Sequence, residues 1–204
     1  MRIDTRSIDG RRAHDLLKSC VVPRPIAWIS TIDGSGVVNA APYSCFTFVA
    51  TEPPMVCFSV ERALAGGKKD TLLNAEETGD FVVNMVPESL AEVMNQCAED
   101  IAHGVSELDR IGLHPQSSEM VLFPRIAESP VSLECRVAKV LELGRSRHSL
   151  VIGEVLLLHI QDDFYAQGTV DLQRLRPVGR LAGNQYCKLG EPFELPRPWL
   201  DEVC

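Results

Sequence analysis

Apolar runs separated by short turn clusters dominate the first half of the chain. Ile26 to Ile32 (IAWISTI) predicts a strand that ends at the turn cluster Asp33-Gly34-Ser35-Gly36. Val37 to Ala41 predicts its antiparallel partner, because so short a turn favours a hairpin, and Pro42 is expected to break it. Cys45 to Ala50, Met55 to Val60 and Phe81 to Val86 predict further strands, with Glu52-Pro53-Pro54 turning the chain before the second of them. In the second half Val131, Leu133, Cys135 and Val137 alternate with Ser132, Glu134 and Arg136, the period of a strand with one wet face. Ser149 to Ile160 predicts another long strand, with Gly153 as a bulge or bend, and Gly144 to His148 as the loop of a second hairpin.

Helical spacing is confined to short segments. Asp70 to Thr78 predicts a helix with Asp70 at the N-cap and Gly79 as its stop. Ser89 to Glu92 matches a capping box, and Leu90, Val93, Met94 and Cys97 then form an apolar stripe. Glu107 to Ile111 reads as one more turn, and Pro192, Pro196 and Pro198 around Trp199 make an irregular tail. Strands joined largely by tight turns, with helices between some of them, predict a mainly β protein: an antiparallel barrel with helical insertions, in one domain over residues 1–204.

Composition narrows the partners. The 204 residues carry a formal net charge of -8 and no basic run of five, so nucleic acid is not expected, while a local cluster can still hold a small anion. The longest apolar runs are too short to span a bilayer, so no membrane partner is expected either. Seven cysteines, an odd number without C-x-x-C spacing and mostly inside apolar runs, predict buried free thiols and a cytoplasmic location. The residues after Met1 lack the apolar core of a secretory leader.

The chemistry-bearing stretches are each ambiguous on their own. In Gly66-Gly67-Lys68-Lys69-Asp70-Thr71 the free N–H groups of a helix start, the Lys69 charge and the Thr71 hydroxyl suit an anion, whereas Asp70 would repel one; a capped surface helix is the simpler reading. Trp28 and Ser30, with Asn39 and Ser44 across the turn, put polar or amphipathic groups on strands. Asn39-Ala40-Ala41-Pro42-Tyr43-Ser44 would let a flat ligand lie against backbone, or would simply form a strand corner. His148, next to Arg145 and Arg147 in its predicted loop, reads either as a ligand contact or as a solvated side chain; His14, His103, His114 and His159 are scattered. Zinc-like spacing, G-x-S-x-G, a Walker A loop and G-x-G-x-x-G are all missing, so metal, serine-hydrolase and Rossmann readings lack support.

Taken in order, PRPIAWIST (23–31), VNAAPYSCF (38–46), EPPMVCFSV (52–60), KDTLLNAEETGDFVVNMV (69–86), ESPVSLEC (128–135), HSLVIGEV (148–155) and RPVGRLAGNQYCKLGE (176–191) resemble the flavin-reductase-like FMN-binding split-barrel family over nearly the whole chain. The resemblance implies a six-stranded antiparallel split barrel, a homodimer and FMN held in a groove at the dimer interface. It implies that Trp28, Ser30, Thr31, Asn39, Ala41, Tyr43, Ser44 and Ser59 line the flavin, and that Lys69 and Thr71 lie near its phosphate. It further implies that Arg180 and Tyr186 return toward the site, and that His148 is catalytic, meeting a nicotinamide or the flavin edge. The implied activity is NAD(P)H-dependent flavin reduction, with NADH or NADPH as co-substrate and a monooxygenase or other electron acceptor as partner. A flavin-binding electron carrier and an FMN-dependent oxidase or oxygenase are the alternatives.

Overall fold

The computed structural model describes residues 1–63, 66–99, 101–102 and 104–196; His103, Pro198, Trp199 and Cys204 lie outside the described residues. Helix α1 (Gly10–Cys20) precedes strands β1 (Ala27–Ile32), β2 (Val38–Tyr43), β3 (Phe46–Thr51) and β4 (Pro54–Val60). Helix α2 (Asp70–Thr78) leads into β5 (Asp80–Met85), followed by α3 (Ala91–Gln96), α4 (Glu107–Ile111) and the two-residue strands β6 (Pro115–Gln116) and β7 (Arg125–Ile126). The long hairpin β8 (Val131–Leu143) and β9 (His148–Ile160) comes next. The minor pairs β10 (Tyr165–Ala166) with β11 (Thr169–Val170), and β12 (Val178–Arg180) with β13 (Tyr186–Lys188), flank α5 (Leu172–Leu175).

One antiparallel sheet of seven strands runs in the order β2-β1-β5-β8-β9-β4-β3, one strand more than the six expected. Its edge strands β2 and β3 are consecutive in the chain, with only Ser44 and Cys45 between them. Laid flat, the edges of seven strands would stand about 29 Å apart, whereas two intervening residues reach about 11 Å at most. The sheet therefore curls until its edges meet. Among the described residues no ladder joins β2 to β3, so the barrel stays split there, and the Ser59 N–H bond to the Cys45 carbonyl at 2.9 Å ties down one lip of the split.

The curl encloses Ala27, Ile29, Tyr43, Phe58, Phe81 and Val151. The opposite face of β1 is covered as well: Trp28 packs with Met94 and Cys97 near α3, with Leu108 of α4 and with Val178. Burial on both faces explains why β1 reads as a continuous apolar run and not as an alternating one. Asn84 fixes the outer layer with all four of its hydrogen-bonding positions. Its Nδ2 donates to the Trp28 carbonyl and Ser30 Oγ, both at 3.0 Å, and its Oδ1 accepts from the Ile126 N–H and Ser132 Oγ, both at 2.9 Å. Among the described residues, no helix is long and apolar enough to cross a membrane.

Several local expectations change. Strand β2 continues through Pro42, which an edge strand tolerates because the N–H that proline lacks would point away from β1, where no ladder partner lies. Helix α2 begins at Asp70 itself, with Lys69 in the cap position and no side-chain cap bond. The Ser89–Glu92 box is a 3-10 turn running into α3, again without a side-chain cap bond. His148 is the first residue of β9, paired with Leu143, and not a loop residue. Of the six described cysteines, all free, only Cys97 and Cys135 are buried, and Cys20 and Cys45 are exposed.

The irregular register near Gly153 lies on the facing strand, between Val137 and Lys139. Gly153 is instead required by a close approach: a Cβ there would stand 2.4 Å from Cζ of the buried Phe81. Gly153→Ala is therefore expected to lower stability by about 1–3 kcal/mol through overpacking, and Phe81→Leu in the same chain should recover part of the loss. Denaturant titration of both variants checks this; an unchanged midpoint for Gly153→Ala would contradict the packing.

Candidate functional site

The split in the barrel opens into a groove. Two recesses, of about 300 and 550 Å³, share Pro42, Tyr43, Lys69 and Ala98 and so form one continuous depression. The first is walled by Tyr43, Ser44 and Ser59 from the lips of the split, by Asp15 and Lys18 of α1, and by Arg180 and Tyr186 from the C-terminal hairpin. The second runs along Asn39 and Ala41 of β2 to Lys68, Lys69 and Thr71, with Glu107 of α4 on its wall. Lys18, Arg24, Lys69 and Arg180 outnumber Asp15 and Glu61 around the first recess, a local reversal of sign on an acidic chain.

At the α2 end the first-turn amides and the helix dipole favour negative charge. The Thr71 hydroxyl is committed elsewhere: it donates to Asn39 Oδ1 at 2.7 Å and is buried, so Thr71 offers this end its main-chain N–H. Asn39 in turn donates through Nδ2 to Glu107 Oε1 at 2.8 Å, and the Ala40 N–H donates to Glu107 Oε2 at 3.0 Å. Behind them Asn74 Nδ2 donates to Thr31 Oγ1 at 3.1 Å. Burial pushes the Glu107 carboxyl above the usual carboxylate range and the Asp70 charge adds to this, against the hydrogen bonds from Ala40 and Asn39.

The opposite end is built by two arginines. The buried Arg24 donates to the carbonyls of Lys18 at 2.7 Å, Val21 at 2.6 Å and Leu181 at 2.7 Å, which staples the end of α1 to the C-terminal segment. Arg180 donates to the Tyr186 hydroxyl and to the Gly183 carbonyl, its guanidinium lies 4.4 Å from the Tyr186 ring centroid, and Tyr186 donates to Asn95 Oδ1 at 2.8 Å. His148 stands one step back from the rim. Its ring meets that of His14 edge-on at 6.1 Å, and His14 Nε2 lies 3.4 Å from Oε1 of the groove residue Glu61.

The structure thus brings Asn39, Ala41, Tyr43, Ser44 and Ser59 to the groove walls, together with Lys69, Thr71, Arg180 and Tyr186. It leaves the side chains of Trp28, Ser30 and Thr31 off those walls: Trp28 packs toward α3, Ser30 donates to the Pro124 carbonyl at 2.7 Å, and Thr31 belongs to the Asn39 network. The Ala40 N–H, within the stretch expected to lie against a ligand, is taken by Glu107. Sequence reasoning missed Glu107, Arg24 and the α1 residues Asp15 and Lys18. Arg24 stood inside the PRPIAWIST motif and could have been found; Glu107, at the start of a short helix, carried no signal.

A profile of the flavin reductase like domain matches residues 19–175. The uncharacterized protein BH2278 of Halalkalibacterium halodurans is 39% identical over 206 residues, covering 99% of both chains. Among solved structures, nitrilotriacetate monooxygenase component B from Bacillus cereus superposes with a TM-score of 0.92 at 36% identity, covering 96% of this chain and 98% of that one. The Pseudomonas fluorescens 2-nitrobenzoate 2-nitroreductase NbaA gives a TM-score of 0.89 at 31% identity, with 98% of each chain covered. With the split barrel and the groove at its seam, these matches establish that the chain belongs to the flavin reductase-like family.

Proposed function

We propose that this protein binds FMN in the groove at the barrel split and uses it to pass a hydride from NADH or NADPH to an electron acceptor. The observation that carries the reading is the groove at the split, whose first recess carries an excess of cationic side chains on an acidic chain, with Lys69 and the start of α2 toward one end and Arg180 at the other. The residues fit the cofactor. Ala41, Pro42 and Ser44 are small or flat and leave a slot for a planar ring, and Lys69 with the first-turn amides of α2 suits a phosphate. When bound, FMN supplies a ring that takes up a hydride and passes the electrons on. The chain's own part is to bind and orient. Arg24 and Arg180 fix the segments that wall the ring end, and no protein nucleophile is needed.

The similarity to a monooxygenase component supports a partner oxygenase as acceptor. The similarity to a nitroreductase supports a second reading, direct reduction of a small nitroaromatic. The same proposal includes a homodimer, for which the exposed Phe48 and Val49 on edge strand β3 supply an apolar surface.

The test is to add FMN and NADH or NADPH to the purified protein without oxygen and follow the visible flavin absorbance. Bleaching is expected with at least one nucleotide; none with either rejects the reductase reading, and faster turnover with a nitroaromatic added favours the second. His148→Ala is expected to slow bleaching by about tenfold or more, as lost orientation does, with FMN affinity nearly unchanged. A collapse of FMN affinity would make His148 a cofactor contact instead.

A further inference from the structure

Glu107 stands at the anion end of the groove although its charge opposes an anion. It is only 7% exposed, and its two oxygens accept from Asn39 Nδ2 and the Ala40 N–H. The recess it lines also holds Lys69 and Asp70. A phosphate dianion entering there meets the Lys68 and Lys69 charges and, against them, the carboxylates of Asp70, Glu99 and Glu107.

We propose that Glu107 is a specificity residue of this anion end, taking up one proton from solvent when a phosphorylated flavin binds and returning it when the ligand leaves. The inference rests on the flavin reading above. The step forms one O–H bond at the Glu107 carboxyl and removes one proton from water or buffer; no electron moves. A protonated Glu107 keeps acceptor oxygen for Asn39 and Ala40, so the wall need not rearrange.

The charges facing it among the described residues are few. Asp70 at the start of α2 repels it. Glu99, beyond α3, shares the recess and is paired with Arg110 of α4 at 3.3 Å. Lys68 is paired with Glu76 at 2.5 Å, and Lys69 lines the same recess. The Cys97 thiol, pushed up to about 12 chiefly by burial, stays neutral at physiological pH and adds no charge. Burial and the Asp70 charge already hold the Glu107 carboxyl above the usual range, and a further negative charge nearby moves it in the same direction, toward the protonated form.

FMN and riboflavin differ in the phosphate, so their affinities isolate this end. Both are measured by titration from pH 5 to pH 8 on wild-type protein and on Glu107→Gln, which removes the titration. As pH falls, the wild-type preference for FMN over riboflavin is expected to rise by about tenfold relative to that of the variant. Calorimetry in buffers of different ionisation enthalpy should show more proton uptake by the wild type with FMN and no difference with riboflavin. If the variant does not fold, infrared difference spectra of 13C-glutamate-labelled wild type give the same test: a protonated carboxyl band should appear with FMN and not with riboflavin. Coincident pH profiles, or no carboxyl band, overturn the role of Glu107 and leave the flavin reading intact. Failure of the wild type to bind either flavin overturns both.

Discussion

Lys69→Ala is expected to weaken FMN binding by about 10- to 100-fold while riboflavin binding changes by less than about twofold. Lys69 lines both recesses of the groove and occupies the cap position of α2, where the amides also favour an anion. Losing one hydrogen bond to a charged group costs about 1.5–3 kcal/mol, and each 1.4 kcal/mol is about a factor of ten in affinity. Only FMN offers a phosphate, so only FMN should feel the full loss. Lys69→Arg should restore part of it, because the charge returns with different geometry. The measurement is fluorescence titration of both flavins against each variant. Equal weakening of FMN and riboflavin would remove Lys69 from the phosphate and place it against the ring or the fold.

The largest expected effect on stability comes from the opposite side of the barrel. Glu134 on β8 is fully buried, and its carboxylate accepts from the N–H groups of Glu119 at 2.9 Å and Met120 at 2.6 Å, and from His159 Nε2 at 2.5 Å. Because an ionised carboxylate only accepts, His159 Nε2 must carry the proton. These bonds pin the segment that buries Val121 and Phe123 against Val82. Glu134→Ala leaves the donors without their acceptor and should cost about 3–5 kcal/mol, the range for breaking a buried charged pair. For a chain of this length that is a fall of about 6–20 °C in melting temperature. A fall of under 2 °C would show that water replaces the carboxylate without penalty.

The pH dependence of the same contact has a definite sign. Burial alone would raise the Glu134 carboxyl, but the bonds from Glu119, Met120 and His159 together hold it below the usual range. A carboxyl depressed in the folded state stabilises the fold at all pH values above its unfolded range. That contribution fades as pH drops through the folded value. Acid should therefore destabilise the wild type more than Glu134→Gln, with the two melting curves converging below about pH 4. A wild-type advantage that persists unchanged into strong acid would exclude this linkage.

Much of the barrel was legible because strand signals are local. The β-branched and aromatic runs at Ile26–Ile32 and Met55–Val60 report side-chain burial that neighbouring residues share, and the period of two in Val131–Val137 located β8, although Ser132 and Glu134, expected on its wet face, are buried. The seven apolar runs correspond to the seven strands of the sheet, although the family resemblance led to an expectation of six. Pro42 was misread because a proline interrupts a central strand but not an edge, and edge position is a property of the sheet. Trp28 and Ser30 were expected on the flavin because the family resemblance implied it. Alternation sends them into the outer layer, while Ala27 and Ile29 face the barrel interior.

By itself, the sequence determined the order of strands and short helices, the helix start at Lys69-Asp70 and the family to which these motifs belong. Those features depend on contacts a few residues apart. Only the tertiary structure decided that Glu107 closes a hydrogen-bonded chain through Asn39 to Thr71, that Arg24 ties α1 to Leu181, and that His148 sits behind His14 at the rim. Glu107 and Asn39 are 68 positions apart, and Arg24 and Leu181 are 157 apart. No local pattern encodes such pairings; they exist because a sheet whose edge strands are consecutive in the chain must curl, and the curl brings distant polar groups to one seam.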